Sequence, residues 1–363
     1  MFKALSKEIK EVPELLNQKY FPTLDGLRAV AVAIVIIAHV DHRVYNSKWV
    51  STFIPFGNLG VYIFFVLSGF LITTLLLKEK VTTGDISLKD FYRRRFFRIV
   101  PVAYLFLVTI IILKYAFNLP LTMPDIILGF FFLRRLDNPF NQFYTTHFWT
   151  LSYEEEYYIL YPFILKKSLR LYVYTLLFII AMQFLFLTPL YNYFHFPGKK
   201  LFYQVFVTSF EGLTIGSLFS ILVFQKIIDP SKKRKYLTVI NLLLVASIVF
   251  IHQLDIYFPV RVFSSALIAL FIVFNINPNN KTIFYRILNS KPFIYVGKLS
   301  YSIYIWQQIF TIALPWKGLF PYSDSVVFNL LALFIVAYCS YNFYEKFFLR
   351  FRYKKGTNNR LNS

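Results

Sequence analysis

Apolar residues run in stretches of 17 to 22 along almost the whole chain, at residues 24–40, 59–78, 97–117, 149–166, 169–188, 203–224, 236–253, 260–276, 294–315 and 325–345. About 20 consecutive apolar residues are enough to cross a bilayer as a helix. The pattern therefore predicts an all-α, polytopic membrane protein of about ten transmembrane helices. Polar, Pro- and Gly-bearing segments such as 41–58 separate the stretches, as turn-rich connectors should. The apolar piece at 126–133 is too short to span and reads as re-entrant or interfacial. Three organisational parts follow: a charged cytoplasmic lead over 1–20, the transmembrane domain over 21–346, and a basic cytoplasmic tail over 347–363.

Composition agrees with this pattern. The chain of 363 residues is 57% hydrophobic, and its 44 Phe and 27 Tyr suit lipid-facing and interfacial positions. The first twenty residues are charged and no small-residue cleavage site follows, so the first apolar stretch is expected to stay as a span. A net charge of +21 raises the question of nucleic acid, and the distribution of that charge answers it. With the N-terminus inside, cytoplasmic segments and span ends hold 29 Lys and Arg, outer ones hold 9, and Arg28 lies within the first span, which together account for all 39. That asymmetry argues for N-in, C-in topology at a cytoplasmic membrane. The excess charge faces lipid headgroups or cytosolic anions rather than nucleic acid. One cysteine, Cys339, gives no disulfide framework, and five histidines without metal-ligand spacing give no metal site.

The polar residues inside the apolar stretches carry the chemistry, because an ionisable group in a membrane is expensive. Residues 24–39, LDGLRAVAVAIVIIAH, hold Asp25, Arg28 and His39. Eleven positions of about 100° each bring Arg28 and His39 onto one helical face, roughly 16 Å apart along the axis. Asp25 is placed to pair with Arg28. In the second stretch Gly60, Ser68 and Gly69 offer close helix packing or a polar lining. Arg93, Arg94, Arg95 and Arg98 crowd the mouth of the third, and the planar fork of arginine suits bidentate phosphate recognition. Pro101 just beyond them marks a kink or a helix start.

Glu154, Glu155 and Glu156 lie only a few residues into HFWTLSYEEEYYILYP. In hydrocarbon such carboxylates must be paired, be protonated or face water. Glu211 reads as an isolated structural acid. The first half of the ninth stretch, GKLSYSIYIWQQIF, is polar and aromatic, so Tyr301, Trp306 and Gln307 are candidate substrate-lining residues or, alternatively, a packed aromatic face. Glu345 near the end of the tenth has Arg350 or the arginine mouth as candidate partners.

Six stretches in order resemble the acyltransferase-3 family of integral-membrane O-acyltransferases: LDGLRAVAVAIVIIAH, FFVLSGFLI, FYRRRFFRIVP, FWTLSYEEEYYILYP, GKLSYSIYIWQ and SYNFYEK. The resemblance covers residues 24–346. It implies a cytoplasmic acyl-CoA donor, commonly acetyl-CoA, and a hydroxyl acceptor on a cell-surface or lipid-linked saccharide. By position Arg28 and His39 match the family's essential pair, and Arg95 and Arg98 match its arginine-rich motif. Gln307 stands where many members have a histidine, so no second catalytic histidine is assigned there. Many members also carry a C-terminal hydrolase-like domain. With the chain ending at Ser363, transfer to the acceptor is expected in the membrane domain or on a separate protein.

The resulting expectation gives the donor phosphates to Arg93, Arg94, Arg95 and Arg98 with Arg28. His39 is the general base on the acceptor hydroxyl, near neutral pH. Glu154 or Glu155 would orient it or stabilise the imidazolium. Direct attack on the thioester and an acyl-enzyme through His39 both remain open. The rival class is a transporter or flippase of a lipid-linked sugar that performs no acyl transfer, which ten helices and a polar path would equally suit.

Overall fold

The computed structural model describes residues 5–40, 56–136, 144–186, 210–230, 236–254, 258–280 and 282–353. Among the described residues there are helices and connectors and no strand. Each of the ten apolar stretches overlaps a helix. These are α1 (Pro22–His39), α2 (Gly57–Thr83), α3 (Leu88–Phe117), α5 (Phe148–Lys167), α6 (Leu169–Phe186), α7 (Glu211–Phe224), α8 (Leu237–Leu254), α9 (Phe258–Asn275), α11 (Lys291–Thr311) and α12 (Val326–Cys339). Two short helices complete the set, α4 (Met123–Phe130) and α10 (Ile283–Leu288). Four helices are long and apolar enough to cross a membrane: Pro22–His39, Gly57–Thr83, Leu88–Phe117 and the continuous run Val326–Arg352. The protein is a membrane protein on this ground. Asp41, His42, His195, the basic run 232–235 and residues 354–363 of the tail lie outside the described residues.

The chain divides into two units, with the division falling inside α1, α5 and α11. The first unit holds residues 1–34, 58–86 and 156–298. Its core depends on close backbone approach. A Cβ added at Gly69 would lie 2.0 Å from the Leu213 carbonyl oxygen, and one at Gly216 would lie 2.2 Å from that of Val66. The small residues therefore let α2 and α7 pack backbone to backbone. Hydroxyls seal the same contact. Ser217 donates to the Gly69 carbonyl at 3.1 Å, while Tyr172 bonds Thr73 and Tyr157 at 2.8 Å each. Glu211 is fully buried, with the Gln183 amide at 3.4 Å and Arg261 within electrostatic reach, which is the structural pairing its sequence context suggested. The start of α1 is held as tightly, since a Cβ at Gly26 would meet the Leu288 carbonyl oxygen at 2.0 Å.

The second unit holds residues 35–57, 87–155 and 299–363. Helix α3 begins well before Pro101, capped by Ser87, whose side chain accepts the Asp90 N–H at 3.3 Å, so the proline neither starts nor ends the helix. Helix α4 starts at a capping box in which Asp125 accepts the Thr122 N–H at 2.8 Å. The same carboxylate pairs at 3.0 Å with Arg134, which has no exposed surface. A buried carboxylate and guanidinium this deep are tolerable only as a pair, and the sequence pattern alone did not single them out. Helix α12 runs into a π-helical turn, Ser340–Glu345, which turns Glu345 inward to full burial. Such turns collect at functional sites.

Replacing Gly216 by valine is expected to destabilise the protein by about 1–3 kcal/mol through overpacking. The measurement is the melting temperature of the detergent-solubilised protein followed by tryptophan fluorescence; an unchanged value would mean that α2 and α7 do not meet this closely.

Candidate active site

His39 is the last residue of α1, and its placement follows from helix geometry. Its Nδ1 lies 2.7 Å from the carbonyl oxygen of Val35, one turn back. A carbonyl can only accept, so Nδ1 carries the proton and Nε2 keeps its lone pair. The ring is thereby fixed as a base. Sequence reasoning gave the orienting role, or stabilisation of the imidazolium, to Glu154 or Glu155; in the structure the Val35 carbonyl holds the Nδ1 side of the ring. Gly57 sits against the ring, and a Cβ there would lie 3.8 Å from His39 Cε1 and 3.1 Å from the Ala38 Cβ.

A second imidazole stands near. His147 immediately precedes α5, is 3% exposed, and lies within electrostatic reach of His39. Rings enclose it: Phe148 at 5.0 Å, Phe106 at 5.1 Å and Tyr304 at 5.8 Å between centroids, all edge-on. Its carbonyl is well used, accepting from Thr150 at 3.0 Å and from the Tyr304 hydroxyl at 3.1 Å. Neither ring nitrogen makes a hydrogen bond of full geometry, and the Ile305 carbonyl is near enough to draw on the ring. Sequence reasoning passed over this residue. One signal was present: His147 and Glu154 are seven apart, nearly one face of a helix.

The acidic triplet divides. Glu154 and Glu155 belong to the second unit and Glu156 to the first. Glu155 is within electrostatic reach of Glu154 and Arg95, and one of its carboxylate oxygens is shut off from solvent without a hydrogen bond. Both acids also act on Tyr301, whose hydroxyl donates to the Ile99 carbonyl at 2.7 Å. Glu345 accepts from Ser302 at 2.8 Å and is within electrostatic reach of Arg98 and Arg352. Of its two candidate partners the arginine mouth is therefore the one it faces. The second unit thus gathers Arg95, Arg98 and Arg352 with Glu154, Glu155 and Glu345 around Tyr301.

The other predicted residues are placed as follows. Arg93 donates through Nε to the Phe351 carbonyl at 2.8 Å, a cation closing the end of the C-terminal helical run. Arg94 is half-buried on the same helix. Gln307 is buried, accepts from the Thr311 hydroxyl at 2.9 Å and donates to Gln308 at 3.3 Å, so its polar atoms are satisfied within α11. Trp306 is buried with its ring 5.5 Å from that of Phe106 and its indole N–H without a partner. In the first unit, Arg28 pairs with Asp25 at 2.7 Å, and the Tyr20 hydroxyl donates to the other oxygen of Asp25.

A half-buried imidazole held at Nδ1, a buried imidazole within its electrostatic reach, and arginines within reach of carboxylates are groups able to move a proton and to hold an anion. The acyltransferase-3 family model, described as an acyltransferase domain, matches residues 21–345, and the chain belongs to this family. Among curated proteins it is similar to the O-acetyltransferase OatA of Staphylococcus aureus (strain NCTC 8325 / PS 47), with 28% identity over 94% of this chain and 59% of that protein. It is also similar to a putative O-acetyltransferase of Staphylococcus aureus (strain COL), with 30% identity over 80% of this chain and 50% of that protein. The chain thus spans 50–59% of the length of these relatives. No solved structure matches it.

Valine at Gly57 is expected to push on Ala38 and His39 and to slow acyl transfer by about 10- to 100-fold, because a small misplacement of a reacting group is costly. The rate of the purified Gly57→Val protein checks this, with the melting temperature as control for folding.

Proposed function

We propose that this protein is a membrane O-acyltransferase, moving an acetyl or related acyl group from cytoplasmic acyl-CoA to a hydroxyl of an extracytoplasmic or lipid-linked saccharide. The observation that carries this reading is the hydrogen bond from His39 Nδ1 to the Val35 carbonyl, which leaves Nε2 as a proton acceptor at the end of an apolar helix. The match to the family model and the O-acetyltransferase names of the relatives support it. The orientation is N-in, C-in at a bacterial cytoplasmic membrane with about ten spans, supported by the excess of basic residues on one side.

In this reading Arg94, Arg95 and Arg98 hold the donor phosphates. Glu154, Glu155 and Glu345 keep the arginine forks in place, and Arg93 anchors the helical end beside them. The acceptor hydroxyl gives its proton to His39 Nε2 as its oxygen attacks the thioester carbonyl carbon. The tetrahedral intermediate collapses with cleavage of the C–S bond, and the departing thiolate takes the proton from the His39 imidazolium. The products are the ester and CoA. Tyr301, Trp306 and Gln307 form the packed aromatic and amide wall of the transfer site.

Two variants should fail differently. His39→Ala is expected to lower kcat by about 10²–10⁴-fold, the usual contribution of a positioned base, while acyl-CoA still binds. Arg98→Ala is expected to raise KM for acyl-CoA about tenfold or more, the equivalent of at least one charge-assisted hydrogen bond. Acyl-CoA consumption by the purified protein with an acceptor saccharide measures both. Wild-type protein that neither binds nor consumes acyl-CoA, or a His39→Ala protein that still moves a lipid-linked sugar, would replace the enzyme with a transporter.

A further inference from the structure

Burying polar atoms without partners costs roughly 1–3 kcal/mol each. The second unit nevertheless does so at two rings packed on one phenylalanine, Phe106, and at Thr145, two residues before one of them. Both ring nitrogens of His147, the indole N–H of Trp306 and the hydroxyl of Thr145 are buried and unbonded among the described residues. The rings of His147 and Trp306 both pack edge-on against Phe106, at 5.1 and 5.5 Å. Polar groups on the same helix and against the His147 backbone are bonded: the Gln307 amide donates to Gln308, and the Tyr304 hydroxyl reaches both Thr150 and the His147 carbonyl. His147 is therefore rigidly held by its backbone and its aromatic neighbours while its ring nitrogens are kept in reserve. A ring held this way, 3% exposed and beside the base His39, has the properties of a preorganised polar contact to a reacting group.

We propose that His147 is a second catalytic residue of the transfer site, donating a ring N–H to the acyl carbonyl oxygen as negative charge develops there. The assignment rests on the acyl-transfer reading above. As the acceptor oxygen bonds to the carbonyl carbon, the C=O π electrons move onto oxygen and the acceptor proton moves to His39 Nε2. The new oxyanion accepts the His147 N–H, with the Trp306 indole N–H as a second donor from the same aromatic wall. Re-formation of the carbonyl expels CoA thiolate, which takes the proton from His39. His147 gives up no proton in the cycle. Two adjacent imidazoles do not readily carry charge together, so His147 works as a neutral donor while His39 holds the proton. Neutral imidazole is known in that electrophilic role.

The test uses the purified full-length protein with acyl-CoA and an acceptor saccharide. His147→Phe retains the ring shape and removes both orphaned nitrogens, so its melting temperature is expected to hold or rise. Its kcat is expected to fall about 10²–10³-fold, the loss typical of one oxyanion donor, with KM for acyl-CoA unchanged. A second pair makes the result independent of the phenylalanine fit. His147→Gln and His147→Leu differ mainly in an amide donor, and Gln is expected to exceed Leu in kcat by tenfold or more. Wild-type kcat in His147→Phe, or equal rates for Gln and Leu, overturns the assignment and leaves acyl transfer standing. A fall in melting temperature that tracks the fall in kcat across all three variants also overturns it, in favour of a packing role. Failure of the wild-type protein to consume acyl-CoA defeats the underlying reading instead.

Discussion

Apolar helices that carry polar side chains must find each of them a partner, because neither lipid nor core supplies one. That constraint orders this protein. Glu211 is held by Gln183 and Arg261, Asp25 by Arg28 and Tyr20, and Asp125 by Arg134 and Thr122. The Glu211 and Asp125–Arg134 pairings tie separate segments together and act as registration points between surfaces, whereas Asp25 and Arg28 pair along one helix. Glycines supply the complementary device by letting backbones approach where no side chain intervenes, as at Gly69 and Gly216.

Seen in this way, the surroundings of His147 are one of the places where the rule is relaxed. The tyrosine, threonine and serine hydroxyls of the first unit form a closed ladder through Tyr157, Tyr172, Thr73 and Ser217. Around His147 and Trp306 the ladder is left open. A network satisfied throughout fixes a structure; one left short beside a base can be completed by a bound reactant. The Val35 carbonyl shows the same economy. It holds the proton-bearing nitrogen of His39 within a single helical turn, while Glu155 and Glu345 lie within electrostatic reach of arginines.

Much was legible beforehand. Each of the ten apolar stretches overlaps a helix among the described residues, because hydrophobic runs of this length have few other ways to satisfy their backbone. The Asp25–Arg28 pair follows from i,i+3 spacing, and Glu345 facing Arg98 was one of two open choices. His147, the Asp125–Arg134 pair and Arg352 escaped sequence reasoning. A lone histidine outside an apolar stretch carries no periodic signal, and the partners of a buried ion pair nine residues apart are not neighbours on any one helix.

The sequence by itself determined that the chain is helical and membrane-embedded, that it belongs with the acyltransferase-3 proteins, and that Arg28 and His39 share a face of the first helix. Those properties reside in periodicity and in local spacing, which a single helix expresses without help. Tertiary structure decided which groups are left unsatisfied and which acid meets which arginine. It also set Glu155 within reach of both Glu154 and Arg95. The reason is physical: a buried polar atom is paired or orphaned by neighbours from distant segments, and only packing brings those neighbours into place.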